Sequence, residues 1–436
     1  MLKRILADFY PEWERYIDRA LLINIMLLVG LGTVVMTSAS IAIAEKNNGS
    51  AYFYLNRQLI FLVIGGIAAY ITYQFRLTTW QNLGPTLLIP ILVLLVTVLL
   101  IGKEINGSTR WIGVGPLSIQ ISEITKISFI LYMAGYLVRH GKDLAESRSY
   151  KPLFVPLLII VIIDVLLILE PDFGSVIMIT ATGLALLFLG GVKLHRLLFL
   201  LVVAIVAMVG MVMAGGYRVA RVIAFLNPWE HAQDKGYQTV HSLMGIGDGG
   251  WFGVGLGGSV QKLFYLPEAH NDYVFAVLAE EFGFLGIVVT LALFAWLVQR
   301  AFVIGFNADK AKLHYGAYVA YGIGFWIGFQ VLFHIGVNLA ILPPKGLTLP
   351  FISYGGSSLL SILIAMALLM RTHRDTQIAL FGLSDKELQK QRQRKEKISA
   401  REQAPAKIAK ASRKRKAAAS KRAATSGRPA RGARNV

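Results

Sequence analysis

The sequence predicts an all-α integral membrane protein of ten transmembrane helices, with both termini cytoplasmic and a large extracytoplasmic loop between helices 7 and 8. Three observations predict it. The 436 residues are 55% hydrophobic and only 16% charged, a balance foreign to water-soluble domains. Runs of about 20 apolar residues recur, the length at which a helix crosses a bilayer with its backbone hydrogen bonds satisfied internally. Lysine and arginine gather in alternate connecting segments, which sets the orientation.

The first span, 20–44, is too long for a signal peptide and lacks a small-residue cleavage site. The second, 55–73, is short. Spans 83–101 and 119–138 follow, and 152–169 shares a tight turn with 173–191. Span 197–214 opens into the long polar stretch 215–271, and 273–298, 317–342 and 349–370 complete the set. The other external loops are 102–118 and 343–348. Residues 1–19 form a cytoplasmic segment and 20–371 the membrane domain. With no cysteine, thiol and disulfide chemistry are excluded.

Residues 372–436 read as a basic, largely disordered cytoplasmic tail, with a short helix expected around 384–397. From 374 onward it holds 19 Lys or Arg against five acids, net +14 of the chain's formal +19. Such a segment suits anionic inner-leaflet lipid, at roughly 1 kcal/mol per basic residue. A solvated tail without a partner is the equal alternative. No nucleic acid is expected, since neither fold nor aromatic interleaving supports it.

Chemistry concentrates in the external segments. LPEAHNDYVFAVLAEE, 266–281, puts Glu268, His270 and Asp272 where the long loop enters a span that also carries Glu280 and Glu281. Dehydrating a carboxylate is costly, so acids at this boundary usually have a task. In NGSTRWIGVGPLSIQISEITK, 106–126, turn residues set Arg110 and Trp111 at the surface. Glu123 and Lys126, three apart, share a helix face, either lining a cavity or pairing only to fix packing. In the long loop Arg218 and Arg221 suit an anion such as a diphosphate. Eight glycines between 245 and 258 serve tight turns or close approach to a ligand, but without a preceding strand they make no nucleotide fold. In ILPPKGLTLPFISYGGSS, 341–358, Lys345 is the lone charge of a Pro/Gly turn suited to a phosphate, and Ser353 brings a hydroxyl to the same leaflet. The alternative there is a small-residue packing surface.

These motifs, in this order, resemble the SEDS family of shape, elongation, division and sporulation proteins over residues 18–374. Within it they stand closer to the division branch than to the rod-shape branch. The resemblance implies a peptidoglycan glycosyltransferase that polymerises lipid II on the outer face of the bacterial cytoplasmic membrane, at the septum. It implies a class B penicillin-binding transpeptidase and other division proteins as partners. It places the family's essential aspartate, in PE-x-H-[TN]-D, at Asp272, and its charged motif positions at Arg110, Glu123, Lys126, Arg221 and Lys345. Pro344, where the family usually has threonine, and Ser108-Thr109 before Arg110 depart from the pattern. A divalent cation, Mg or Mn, is compatible with the chemistry, although no carboxylate cluster requires one. Glu268, His270, Arg218 and Ser353 join the expected substrate-binding set on their placement. A lipid II flippase or transporter and a non-catalytic division scaffold are the rival classes. The first would more naturally show two repeated halves, and the second leaves Asp272 unexplained.

Overall fold

The computed structural model describes residues 16–105, 108–114, 117–146, 150–213, 219 and 223–381. The chain divides into two compact units, Met1–Thr376 and Gln377–Val436. The second is described only over 377–381, so the expected helix near 384–397 and the rest of the tail lie outside the described residues.

The first unit is a helical bundle. Its helices are α1 (Arg19–Asn48), α2 (Phe53–Gln74), α3 (Leu77–Ile101), α4 (Ile121–Glu146), α5 (Lys151–Leu169), α6 (Phe173–Leu189), α7 (Leu194–Met213), α8 (Tyr237–Asp248), α9 (Val274–Lys310) and α10 (His314–Asn338). Helix α11 (Gly356–Phe381) completes the set. Among the described residues eight helices are long and apolar enough to cross a membrane, and α6 and α7 add two shorter apolar stretches.

Helices α4, α10 and α11 are mostly buried, whereas α2, α3 and α5 turn most of their apolar residues outward. Val63, Val93, Phe154 and Val161 are each at least half exposed. Outward-facing rows of this kind suit acyl chains rather than water. Two buried clusters hold the bundle. One joins α1, α9, α10 and α11 through residues such as Leu28, Phe275, Trp326 and Ile362. The other joins α3 to α6 through Leu95, Phe129, Ile163 and Leu186.

Three features depart from the sequence expectation. The first external loop is not turn alone. It forms an antiparallel sheet of β1 (Lys103–Ile105), β2 (Ser108–Val114) and β3 (Leu117–Gln120), in that order. Trp111 pairs with Gln120 and Ile112 with Ile119. Ser357 Oγ accepts from the Gln120 N–H at 2.9 Å and donates to the Ser118 carbonyl at 3.3 Å, tying the sheet to the start of α11.

The last span begins at Gly356 rather than at 349. Pro350 disfavours helix at Leu349, and Phe351 sits at φ 65, outside helical geometry. Residues 339–355 therefore form a long irregular segment, and its Leu347, Leu349 and Ile352 are buried.

Helix α9 outruns its apolar stretch to Lys310: no Pro interrupts it after Val298, and Gly305 keeps helical geometry within it. It breaks instead at Gly283, φ 63 and ψ −162. Across that break the N–H groups of Val254 and Gly255 donate to the carbonyls of Glu280 and Glu281, and those of Phe284 and Leu285 donate to Gly250 and Trp251. The glycine-rich loop is thus built into the helix. The two carboxylates at the break pin it further. Glu281 pairs with Lys262 at 2.6 Å and accepts from Ser38, while Glu280 accepts from the Val260 N–H at 2.7 Å and from Ser259.

Candidate functional site

Asp272 stands in the turn that leads into α9. Glu268 opens this turn at φ 56, a left-handed conformation uncommon without glycine and a mark of strain at working sites. The Glu268 carbonyl accepts from the N–H groups of Asn271 and Tyr273, at 3.0 and 3.4 Å. From the other side the segment before α11 clamps the turn. Ser353 Oγ donates to the Asn271 carbonyl at 2.7 Å, and the Tyr354 N–H donates to the His270 carbonyl at 2.9 Å. The His270 ring is buried between Tyr54 and Tyr354, with centroids 4.6 and 5.7 Å away.

Arg110, on β2, reaches the turn between α5 and α6. Its Nε donates to the Glu170 carbonyl at 3.3 Å and an Nη donates to the Pro171 carbonyl. Its other Nη lies 3.9 Å from Asp172. Asp172 caps α6, accepting from the Ser175 N–H and hydroxyl, and also from Ser122 and Gln120. A buried carboxylate with that many donors is a fixed anchor for the guanidinium.

The Lys345 turn supplies the third side. A methyl group placed on Gly346 would lie 3.5 Å from Asp272 Oδ2 and 3.9 Å from Arg110 Nη1. Asp272, Arg110 and the backbone next to Lys345 therefore border one small space, and Gly346 keeps it open. Lys345 Nζ sits 4.7 Å from the Phe173 ring centroid, at the start of α6.

Charge sets the acidity of this space. Burial raises the Asp272 carboxyl to about 7, Glu268 pushes the same way, and Arg110 opposes both. Glu170 rises to about 8, first from burial and then from Asp172, again against Arg110. Burial lowers His270, and Glu268 partly offsets that.

The expected residues thus fall into groups. Asp272 and Arg110 share the site, Glu268 acts on Asp272 electrostatically, and Lys345 adjoins the space through the Gly346 backbone, its ammonium over Phe173. Ser353 and His270 are buried behind it, the serine hydroxyl already used by Asn271 and by the Leu349 N–H, so both act on its shape. Glu123 and Lys126 pair at 2.8 Å inside the bundle, and Lys126 also donates to Gln330 at 3.2 Å. Arg218 and Arg221 lie outside the described residues. Asp172, Glu170 and Gly346 were not singled out from the sequence. An acid before a helix start, as in EPDFG, was the available signal for Asp172. Among the described residues no three His, Cys, Asp or Glu side chains are arranged to hold a metal.

Fold and site together define a polytopic membrane protein with one acid and one guanidinium facing each other beside a lysine turn. A profile of the FtsW/RodA/SpoVE family of cell cycle proteins matches residues 19–378, and the chain belongs to this family. A probable peptidoglycan glycosyltransferase FtsW of Thioalkalivibrio sulfidiphilus is 46% identical over 83% of this chain and 90% of its own length. The protein of that name from Pseudomonas fluorescens is 46% identical over 85% and 92%. Among solved structures, a chain of a peptidoglycan synthase complex coordinating polymerization and crosslinking superposes with TM-score 0.69, at 28% identity over 83% of this chain and 98% of that one. The rod shape determining protein RodA of Thermus thermophilus gives TM-score 0.61, at 28% identity over 84% and 99%.

Proposed function

We propose that this protein is a peptidoglycan glycosyltransferase that polymerises lipid II during septal wall synthesis. Relatives at 46% identity over most of both chains bear the peptidoglycan glycosyltransferase name, which supports the class. The observation that carries the mechanism is the meeting of Asp272, Arg110 and the Lys345 turn around Gly346.

Lipid II carries its sugar on a diphosphate, so the leaving group needs charge stabilisation more than protonation. A β-1,4 link from an α-diphosphate requires attack with inversion. The acceptor hydroxyl oxygen bonds to the donor's anomeric carbon as the bond from that carbon to the diphosphate oxygen breaks. Its electron pair leaves with the diphosphate, and the hydroxyl proton passes to the Asp272 carboxylate. A base with a pKa of about 7 is matched to that transfer and contributes about 10²–10⁴-fold. Arg110 and Lys345, with Arg221 from outside the described residues, hold the diphosphate charge.

In this reading ten helices cross the cytoplasmic membrane with both termini inside, and α6 and α7 are the two shorter crossings. The site then opens on the outer face. A class B penicillin-binding transpeptidase is the expected partner, in line with the likeness to a chain of a synthase complex. The basic tail adds attraction to anionic lipid.

The test is polymerisation of purified lipid II by the full-length protein. Asp272→Asn keeps size and removes the base, so it should abolish glycan synthesis while lipid II still binds. Near wild-type polymerisation by that variant would defeat the assignment.

A further inference from the structure

Helix α10 places three polar side chains four residues apart on one stripe: Gln330, His334 and Asn338, all essentially buried. Each holds the backbone of an irregular segment that forms the site. Gln330 Nε2 donates to the Thr348 carbonyl at 2.8 Å. His334 Nδ1 faces the Leu347 carbonyl at 2.7 Å, so that nitrogen carries the hydrogen. Asn338 Nδ2 donates to the Asp272 carbonyl at 3.2 Å and to the His334 carbonyl at 2.9 Å, while its Oδ1 accepts from the Ala276 N–H at 3.2 Å. At the other end Gln330 Oε1 accepts from Lys126 and from Trp326. The stripe is about 12 Å long at 1.5 Å per residue. It binds the Gly346 side of the site at two points and the Asp272 side at one.

Asn338 reinforces the first turn of α9 from outside it. The Ala276 N–H is shared between the Tyr273 carbonyl at 3.0 Å and Asn338 Oδ1 at 3.2 Å. Tyr273, at the cap position, makes no side-chain cap. Asn338 supplies that cap from the neighbouring helix, and with its other end holds the peptide of Asp272 itself.

We infer that Asn338 is a positioning residue for Asp272. By capping α9 from α10 and holding the Asp272 carbonyl, it fixes the direction in which the carboxylate leaves the turn, toward Gly346 and Arg110. The inference rests on the role proposed for Asp272. His334 and Gln330 do the matching work for 347 and 348, so one helix face sets the spacing between the two sides of the site.

The experiment compares full-length wild type, Asn338→Ala, Asn338→Ser, Ser242→Ala and Asp272→Asn in lipid II polymerisation, with melting temperatures measured alongside. Ser242 Oγ, on α8, donates to the Asn338 carbonyl at 2.9 Å and lies 3.5 Å from Asn338 Oδ1, so its loss loosens the same packing while leaving the Asn338 Nδ2 bond to the Asp272 carbonyl in place. Serine at 338 keeps a small polar group and a foldable site but is too short to reach Asp272. Losing the alignment should cut kcat about 10- to 100-fold in both Asn338 variants, as misplacement of a reacting group does. KM should stay within about twofold, and Ser242→Ala should keep kcat within about twofold. Wild-type kcat in Asn338→Ser, or an equal loss in Ser242→Ala, overturns the inference. Activity in Asp272→Asn would instead overturn the reading of the site, so the two failures are distinguishable.

Discussion

Asp272 and Arg110 come from loops far apart in the sequence and meet across Gly346, each within 4 Å of the point where a Cβ on that glycine would stand. The relationship is electrostatic as well as spatial. Among the described residues the guanidinium is the group that lowers the Asp272 pKa, against burial and Glu268. A base must be both available and basic, and the opposing neighbours leave this carboxyl balanced near neutrality. The same guanidinium is tied to Asp172 and to the carbonyls of Glu170 and Pro171, so it stays in place as charge develops on a leaving diphosphate.

The pH dependence follows from that balance. Asp272 acts as a base only when deprotonated, so kcat/KM should rise with pH and level off above about 7. Glu268→Gln removes a neighbour that raises the pKa, so the inflection should move to lower pH. Arg110→Gln removes the lowering cause and should move it higher, besides slowing the reaction. A kcat/KM flat from about pH 5.5 to 8.5 contradicts a titrating carboxylate base.

Glu123 and Lys126 are buried against each other, and Glu123 Oε2 has no hydrogen-bond partner among the described residues. Lys126→Met leaves that charge alone, at a cost of about 3–5 kcal/mol. Combining it with Glu123→Gln should recover most of the melting temperature. If Lys126→Met instead loses activity at unchanged melting temperature, the pair touches substrate and is not merely structural.

Topology can be read by thiol labelling, because the chain has no cysteine of its own. A cysteine at Asp248, at the end of α8, should react with an impermeant reagent from outside the cell. Labelling only from the cytoplasmic side would invert the orientation and place the site on the wrong face.

Removal of residues 384–436 should leave lipid II polymerisation largely intact and weaken binding to vesicles rich in anionic lipid. The charge of that segment, not its packing, is the basis of the expectation. A truncated protein that inserts and is stable yet cannot polymerise would make the tail part of the catalytic machinery.

The membrane class and nearly every helix were legible in the sequence, because a bilayer demands long apolar runs and tolerates few alternatives. Asp272 stood out as a candidate for a related reason: a cluster of acids and one histidine beside a span is costly and therefore conspicuous. What the linear pattern could not show was where each side chain's hydrogen bonds go. Ser353 looked like a ligand for substrate, yet its hydroxyl is consumed by Asn271 and Leu349. Neither Asn338 nor Asp172 was singled out by the linear pattern, yet one holds the Asp272 peptide and the other anchors Arg110.

The sequence by itself determined the solvent of each segment, since hydropathy and charge act locally and add along the chain. Only the tertiary structure decided which loops share a site. Residues 110, 272 and 346 come together because α4, α6, α9 and α10 pack as they do, and because buried backbone in the connecting segments must find partners on neighbouring helices. That requirement couples elements far apart in the chain, which no local pattern records.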